Sequence, residues 1–571
     1  MLRDQLDADW KYWMTEYPEV ATSVGYPGQN GRWTDYTQAS MDGRADYLKK
    51  SAGRLSGIDR TRLAADEQLT FDLYQDLLAT AIKGLEFQND AIPIRSVIPH
   101  NLLMPITQME GIQQDIPRTI AIMPAATRED YENILARLST IAPLVDQTIA
   151  LMEQGLTRGV TPPAVTLRDV PGQVSGQIVD DPIKSPMLAV FTAWPASIPD
   201  ADRAGLSKRA TEAYATGVAP AFRKLHDFLA SRYIPGCRTT TAAGALPRGA
   251  EMYVYNVAWH TTTTKTPAEI HQLGLSEVQR IRGEMDQVIG ASGFKGGFQE
   301  FAKFLRTSPQ FYYRDADSLV TAYRDVAKRA DPELARLFGR LPQTPYGVKV
   351  VPEAVAPSQT TAYYEQGSFT AGRPANMFAN TYKLEARPKW EMETLTLHEA
   401  VPGHHIQIAI AQELQGLPEF RKNSSYTAFV EGWALYAESL GEEMGFYKDP
   451  YSKFGRLTYD MWRAVRLVVD TGLHAMGWTR EQAIDYFRAN AAKTDQDIIV
   501  EIDRYLVFPG QALGYKIGQL KIRELRAKAE QELGPRFDIR QFHDVVLGQG
   551  AVPLDVLERQ VNAWVQKRKS L

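Results

Sequence analysis

Hydrophobic residues recur with a helical period over most of the first 230 residues. They return every three or four positions in "ADEQLTFDLYQDLLATAIKGLEF" (65–87) and in "RLSTIAPLVDQTIALMEQGL" (137–156). This spacing places apolar side chains on one face of an α-helix. Another helix is predicted to begin after Thr266, because Thr266, Pro267 and Glu269 form a capping box with proline at the first helical position.

The pattern changes between residues 344 and 382. The short segments "YGVKVVPE", "TTAYYEQG" and "ANMFANTY" are rich in β-branched and aromatic residues and are separated by proline and glycine. Such segments are typical of short strands. Helical periodicity returns at Lys389 and continues almost to the C-terminus. The chain therefore predicts a mainly α protein, a large helical body with a small sheet directly before a histidine-rich segment.

Two stretches rich in proline, threonine and glycine, residues 184–200 and 233–249, interrupt the helical pattern. Such stretches are candidate linkers. We expect an N-terminal helical region at residues 1–235 and a catalytic region at residues 250–571. Within the catalytic region, the sheet is expected near residues 344–382 and metal-binding helices near 389–445.

Composition narrows the class of protein. With 571 residues, of which 44% are apolar and 23% charged, the chain resembles an ordinary globular protein. A net charge of −4 gives no reason to expect nucleic acid as a partner. Cys237 is the only cysteine, which excludes an intrachain disulfide and a cysteine-based zinc site.

The N-terminal stretch "MLRDQLDADWKYWMTEYPEVATSVG" lacks the apolar core of a signal peptide. No run of eighteen apolar residues occurs in the sequence, so no transmembrane helix and no membrane partner are expected. The sequence as it stands predicts a cytoplasmic protein, although removal of a leader would leave the same pattern.

The segment "LTLHEAVPGHHIQ", residues 395–407, contains three of the nine histidines. A hydrolytic zinc site needs about three ligands from histidine, aspartate or glutamate, and a carboxylate that takes the proton of the bound water. His398 and Glu399 supply the first half of the usual HExxH motif. Pro402 stands where the second histidine of that motif belongs.

The position of the second ligand stays open. On an ideal helix, His404 points about 120° away from His398, whereas His405 faces the same way but lies about 10.5 Å along the axis. Pro402 and Gly403 can interrupt the helix. If the Val-Pro dipeptide loops out, His404 becomes the second ligand, and His405 is the alternative.

A third ligand is expected from the helical segment "TAFVEGWALYAESLGEEMG". Glu431 lies 27 residues after His404, which leaves room for one helical hairpin. Glu438, seven residues further on nearly the same face, is either a ligand or a partner that orients a histidine. Taken alone, the same residues fit a packed helix with two surface acids and a histidine pair at a kink.

Groups that assist hydrolysis are harder to select from sequence. Tyr515 and Tyr505, in "RYLVFPGQALGYK", are candidates for stabilising an oxyanion. Arg504, Lys516 and Arg463 are candidates for binding a substrate carboxylate. Against these roles, most tyrosines bury their ring in a core and hydrogen-bond locally.

The predicted strands can also bind substrate. Extended peptides commonly add to an exposed strand edge, and "TAYYEQGSFTAGRPANMFANTY" can provide one, with Asn380 as a substrate-binding candidate near the site. The same segment equally fits a packed hairpin without substrate contact.

Five segments resemble successive motifs of the bacterial family called domain of unknown function 885. They are "WEMETLTLHEAVPGHHIQ", "FVEGWALYAE", "VVDTGLHAMGWTREQAI", "EIDRYLVFPGQALGYKIG" and "FDIRQFHDVVLGQGAVPLDVLE". The likeness runs from about residue 250 to the C-terminus and is weaker in the N-terminal helices. The hallmark of the family is HExxPGH, which makes Pro402 an expected residue.

That family is viewed as metallopeptidase-like and is similar to helical gluzincin peptidases such as thimet oligopeptidase, angiotensin-converting enzyme and Taq-type carboxypeptidases. The resemblance implies a deep central channel, one zinc ion held by His398, His404 and Glu431, and Glu399 as general base.

Three functional hypotheses follow from the residues and the resemblance. The leading one is a zinc-dependent metallopeptidase that hydrolyses short peptides as a carboxypeptidase, dipeptidase or oligopeptidase. The alternatives are a non-catalytic peptide-binding protein on the same scaffold and a metal-dependent hydrolase of non-peptide amides.

Overall fold

The structure is a computed structural model that describes residues 1–95, 98–353, 356, 359–367 and 373–570. The predicted mainly α architecture is confirmed, with one small sheet among the described residues. The chain divides into two compact units. The first contains residues 1–252 and 418–423, and the second contains residues 253–417 and 424–571.

The first unit is helical in its described residues. Its helices are α1 (Leu2–Glu16), α2 (Pro18–Val24), α3 (Gln38–Ser56), α4 (Ala65–Leu85), α5 (Ile112–Ile122), α6 (Arg128–Ser139), α7 (Ile141–Arg158), α8 (Val170–Ser175), α9 (Asp200–Ala213), α10 (Ala219–Phe228) and α11 (Ile234–Gly236). Two π-helical segments, Tyr214–Val218 and Leu229–Tyr233, join the last three of these into one continuous helical stretch.

Among the described helices, none is by itself long and apolar enough to cross a membrane. The pair α6 and α7, bent by 41°, meets the length and composition criteria only when its members are taken together. Apolar residues of both helices, including Ile134, Leu138, Val145 and Met152, lie in the hydrophobic core of the first unit.

The remaining elements belong to the second unit except α19, and the boundary between the units falls within α12. They are α12 (Gly249–Thr261), α13 (Pro267–Ala291), α14 (Phe298–Thr307), α15 (Ala316–Ala330), α16 (Leu334–Leu337), β1 (Tyr346–Val350), β2 (Ala362–Glu365), β3 (Ala375–Ala379), α17 (Met392–Glu399), α18 (His404–Glu413), α19 (Glu419–Asn423, in the first unit), α20 (Thr427–Leu440), α21 (Pro450–Ala475), α22 (Arg480–Asn490), α23 (Asp495–Val507), α24 (Leu513–Leu533), α25 (Ile539–Leu547) and α26 (Leu554–Lys569).

The start of α13 shows the predicted capping box. The hydroxyl of Thr266 accepts a hydrogen bond from the backbone N–H of Glu269 at 3.3 Å, and the Glu269 carboxylate accepts one from the backbone N–H of Thr266 at 2.8 Å. These two bonds satisfy donors that a helix otherwise leaves open at its N-terminus. The helix therefore begins where the sequence predicts.

The three predicted strands form one sheet in the order β1-β3-β2. Strand β1 runs parallel to β3, with Tyr346 opposite Ala375, and β2 runs antiparallel to β3, with Ala362 opposite Ala379. One face of the sheet packs in a core with residues of α15, α17 and α21, including Leu395 of α17. The sheet thereby fixes the helix that carries the first predicted metal ligand.

Helices α20 and α24 cross at very close range. A Cβ atom on Gly518 would lie 1.7 Å from the carbonyl oxygen of Ala428, and one on Gly432 would lie 2.5 Å from the Cα atom of Gly518. Only glycine fits at this crossing, because any side chain would overlap backbone. The close approach fixes the position of Glu431, the residue next to Gly432.

Candidate metal centre

Helices α17 and α18 are separated by a short turn, residues 400–403. The turn contains a cis peptide bond between Val401 and Pro402. A Cβ atom on Gly403 would lie 1.9 Å from the carbonyl oxygen of His398, so the turn packs directly against the end of α17. The indole N–H of Trp433 donates a hydrogen bond to the carbonyl oxygen of Pro402 at 2.9 Å. After this turn a new helix, α18, begins at His404.

This turn brings together three side chains predicted as metal ligands. One potential ligand atom from each of His398, His404 and Glu431 lies within 4.8 Å of the other two. The Oε2 atom of Glu431 lies 3.6 Å from the Nε2 atoms of both His398 and His404. Two histidines from consecutive helices and a glutamate from α20 therefore converge on one point.

The cluster fits a zinc ion. Ligand atoms about 2.1 Å from zinc at tetrahedral angles lie about 3.4 Å from one another, close to the two 3.6 Å separations. The Oε2 atom of Glu431 is buried and has no hydrogen-bond partner. Such an orphaned acceptor is costly unless something else binds it. Two imidazoles and a carboxylate are also a donor set that suits zinc.

His405 points elsewhere. Its Nδ1 atom lies 3.1 Å from the hydroxyl of Tyr364, and its ring centroid is 4.8 Å from that of Tyr346. Both tyrosines belong to the sheet, so His405 ties α18 to β1 and β2. Of the two histidines that the spacing left open, the structure places His404 beside His398 and Glu431.

A second carboxylate contacts the ring nitrogen of His398 that does not face Glu431. Glu438 accepts a hydrogen bond from Nδ1 of His398, at 2.8 Å, and its same oxygen lies 3.4 Å from Nη2 of Arg463. This bond leaves Nε2 of His398 directed at Glu431. A histidine that binds metal usually donates its other ring N–H to such a partner, which fixes the ring orientation.

Burial and the charges of neighbouring side chains shift the pKa values of the residues in the cluster. Burial acts to lower the pKa of His398, but Glu431, Glu438 and Glu399 outweigh it and raise that pKa to about 9. Burial lowers the pKa of His404 to about 4. Burial acts to raise the pKa of Glu431, but His398 and His404 outweigh it and lower that pKa to about 2. In the metal-free protein, a cationic His398 therefore faces an ionised Glu431.

Glu399 differs from the other carboxylates of the site. Burial raises its pKa to about 7, with a further upward contribution from Glu431. Within the described ranges, its side chain makes no hydrogen bond and no ion pair. A carboxylate in this state is available to exchange a proton near neutral pH.

The tyrosines predicted to stabilise an oxyanion lie in a separate polar cluster of α21, α23 and α24. The Tyr505 hydroxyl donates to Glu501 at 2.6 Å and accepts from Nε of Arg466 at 3.0 Å. The Tyr515 hydroxyl accepts from Arg504 at 3.4 Å. In the part of the chain that the structure describes, neither hydroxyl bonds to His398, His404 or Glu431, so their catalytic roles stay predictions.

Two predicted substrate-binding residues have structural partners instead. Lys516 is 0% exposed, and its ammonium group binds Asp460 at 2.6 Å and Glu277 at 3.0 Å. Asn380 is also 0% exposed, and its side-chain N–H groups donate to three carbonyl oxygens of residues 356–360. Both side chains are buried and already paired with protein groups, so their roles in substrate binding stay predictions.

Arg504 is largely buried, and its guanidinium donates to the side-chain oxygen of Gln511 at 2.6 Å. It also lies 3.5 Å from Glu501, a carboxylate that it shares with Arg466. Its predicted role in substrate binding stays a prediction.

Two further residues near the cluster were not singled out from sequence. Tyr364 of β2 has its ring centroid 6.4 Å from that of His404. Gln407 lies three residues after His404 in "HHIQ" and is buried. The helical spacing of three was the available signal for Gln407, whereas Tyr364 comes near only because the sheet packs against α17 and α18.

Solved structures offer two full-length comparisons. A protein from Colwellia psychrerythraea has 30% sequence identity and a TM-score of 0.91, with 99% of each chain covered. A protein from Shewanella oneidensis has 17% identity and a TM-score of 0.73, with 98% of this chain and 99% of that chain covered. Both are described as a "putative lipoprotein". A protein from Bacillus anthracis described as a "putative oligoendopeptidase F" has 10% identity and a TM-score of 0.30, with coverage of 91% and 96%, which is too slight a likeness for any argument.

The lipoprotein description corrects one expectation. The sequence predicted a cytoplasmic location from the absence of an apolar leader or membrane span, and a similar chain of nearly the same extent is described as a "putative lipoprotein". The physical reason is that a lipid anchor holds a protein at a membrane without any spanning helix. The cytoplasmic prediction is therefore wrong.

The family comparison agrees with the motifs. No curated protein matches the chain. The resemblance noted from the histidine-rich segment and its companions is confirmed over most of the length, because one family model matches residues 18–561. This chain belongs to the family described as bacterial proteins of unknown function, DUF885.

Proposed function

We propose that this protein is a zinc-dependent peptidase that hydrolyses short peptides. The observation that carries the proposal is the convergence of His398, His404 and Glu431, with an orphaned Glu431 oxygen 3.6 Å from both imidazoles. The resemblance to helical gluzincin peptidases supports the same activity. Zinc in such a site polarises the scissile carbonyl and lowers the pKa of a bound water.

The chain supplies the holding and orienting groups. His398, His404 and Glu431 would hold the ion. Glu438 fixes the tautomer and orientation of His398, because it accepts the Nδ1–H at 2.8 Å. Arg463, 3.4 Å from the same oxygen, forms an ion pair with Glu438 that holds the carboxylate in place.

Glu399 is the proposed general base. It follows His398 directly, has no hydrogen-bond partner among the described residues, and has a pKa raised by burial to about 7. A carboxylate of this pKa can take a proton from the attacking water and give it to the leaving amine at neutral pH. In this proposal one side chain performs both transfers, so the proton taken from water is the one given to the leaving amine.

The backbone of a peptide substrate is proposed to bind along the open edge of strand β2. The backbone N–H of Asn380 donates to the carbonyl oxygen of Thr361, so in the antiparallel register Tyr364 directs its N–H and C=O away from β3. No described strand pairs with that edge. An extended peptide that added to it would lie beside Tyr364, whose ring is 6.4 Å from that of His404.

The place of action is proposed to be outside the cytoplasm. This follows from the description of the 30% identical Colwellia psychrerythraea protein as a lipoprotein. Peptides that reach the outer side of a membrane would then be the substrates. Tagging the full-length natural protein and fractionating the cells tests the location, and recovery in the soluble cytoplasmic fraction would contradict it.

The metal premise is tested by zinc content in a matched pair of variants. Protein purified without chelators or nickel columns should contain near one zinc per chain by inductively coupled plasma mass spectrometry. His404→Ala should lose the zinc and His405→Ala should keep it, because only the first side chain faces His398 and Glu431. Zinc-free wild-type protein after incubation with zinc would overturn the proposal.

The reaction is tested by a panel of dipeptides, blocked peptides and simple amides. A peptidase should cleave extended peptides and lose that activity with a chelator. Binding of peptides without turnover would favour a binding protein, and cleavage of simple amides at equal rates would favour a general amide hydrolase.

A further inference from the structure

The side-chain amide of Gln407 is buried without a partner. The residue is 3% exposed, and its Oε1 atom has no hydrogen bond. Across the described residues, its Nε2 atom has none either. A buried amide without a hydrogen bond costs stability, and such groups in folded proteins are mostly satisfied. Its position one turn from a predicted metal ligand gives this amide a candidate partner.

That candidate is the Nδ1 atom of His404. It is buried and has no hydrogen bond, in contrast to Nδ1 of His398, which is bound by Glu438 at 2.8 Å. When Nε2 of a neutral histidine binds metal, Nδ1 carries the proton and becomes a donor. His404 therefore presents a donor without an acceptor, and Gln407 presents an acceptor without a donor.

The helix brings the two groups to one face. His404 and Gln407 are the first and fourth residues of α18, and residues three apart on a helix are neighbours. Long helical side chains also lean toward the N-terminus, so the Gln407 amide covers the turn that contains His404. The alternative acceptor nearby, the hydroxyl of Tyr364, already lies 3.1 Å from Nδ1 of His405.

We propose that Gln407 is the positioning residue of the second ligand: its Oε1 atom accepts the Nδ1–H of His404 when Nε2 of that ring holds zinc. The inference rests on the proposed metal site and adds to it a supporting partner on α18. Each histidine then has a hydrogen-bond partner for its Nδ1 atom. The partner of His398 is a carboxylate from α20, and the partner of His404 is an amide from α18.

The test compares zinc affinity in four purified variants stripped of metal. Gln407→Met and Gln407→Leu remove the acceptor at similar volume, whereas Gln407→Glu restores one. Gln412→Met, on the same helix and half-buried, is the matched control. The zinc dissociation constant is measured by competition with a chromophoric chelator, and the visible spectrum of the cobalt-substituted protein reports on ligand geometry.

Loss of a hydrogen-bond partner behind a ligand typically weakens metal binding about 10–100-fold, and we expect that range for Gln407→Met and Gln407→Leu. Gln407→Glu should recover most of the affinity, Gln412→Met should match the wild type, and the cobalt spectrum should change only in the first two. The unfolding midpoint of the metal-free protein should not fall, because removing an unsatisfied amide from an interior does not destabilise it.

Wild-type affinity in Gln407→Met and Gln407→Leu would overturn the inference while leaving the metal site intact. If those variants bind zinc normally but have a raised KM, the amide contacts substrate instead of His404. If the wild-type protein binds no zinc, the inference falls together with the proposed function, and the zinc titration of wild-type protein separates these cases.

Discussion

Glu438 binds the Nδ1 atom of His398 at 2.8 Å, although 40 residues separate them in the chain. It lies seven residues after Glu431 on α20, close to two helical turns, so both carboxylates project from one face. One helix thereby provides a predicted ligand and the group that orients another.

Replacing Glu438 should weaken zinc binding without removing a ligand. Glu438→Gln leaves an amide that is a weaker acceptor than a carboxylate, so His398 is held less firmly. We expect the zinc dissociation constant to rise about 10–100-fold, measured by chelator competition. Glu443→Gln, which alters an exposed pair with Arg526, is the control. Equal zinc affinity in Glu438→Gln and wild type would show that Glu438 has no orienting role.

Glu399→Gln should abolish catalysis and keep the metal. The amide cannot take a proton, and general acid–base groups contribute about 10²–10⁴-fold to rate. We expect kcat for a cleaved peptide to fall by that range, while zinc content stays near that of the wild type. The exposed Glu385→Gln on the same chain should change neither quantity. Full activity in Glu399→Gln would rule out its role as the base.

Gly403→Ala should disrupt the site through the backbone. The added Cβ would lie 1.9 Å from the His398 carbonyl oxygen and 2.5 Å from that of Leu397, so the turn must move. We expect a lower free energy of unfolding and loss of zinc, measured by denaturant titration and zinc content. Gly283→Ala in α13 has no atom within 4 Å of its new Cβ and should stabilise the protein by up to about 1 kcal/mol. Retained zinc in Gly403→Ala would show that the turn tolerates displacement.

Asp470 should make stability depend on pH. Burial raises its pKa to about 7, although Tyr253 and the backbone N–H of Gly510 donate to it. Its folded pKa lies above the unfolded value of about 3.9, so its favourable contribution is complete below the unfolded pKa and is lost as pH rises through about 7.

Asp470→Asn removes that titration, so its free energy of unfolding relative to wild type should rise between about pH 4 and pH 7 and level off at higher pH. Denaturant titrations across this range measure the difference. The exposed Asp555→Asn is the control and should show a constant offset. A constant offset for Asp470→Asn as well would mean that its folded pKa is not raised.

The sequence determined the local elements and the types of ligand. The apolar period predicted the helices, the Thr266 capping box fixed the start of α13, and three short runs of β-branched and aromatic residues became β1, β2 and β3. These features depend on residues that are neighbours in the chain. The selection of His398, Glu399 and Glu431 as candidate site residues came from the same local patterns together with the family motifs.

Tertiary structure decided which groups meet. His404 and His405 are adjacent, and spacing alone could not choose between them, because the choice depends on where the helix restarts after Gly403 packs on the His398 carbonyl oxygen. Lys516 is bound by Asp460 and Glu277, which lie 56 and 239 residues earlier in the chain. Contacts between distant segments have no periodic signature, so only the packed helices showed which charged groups are structural and which converge on the candidate metal centre.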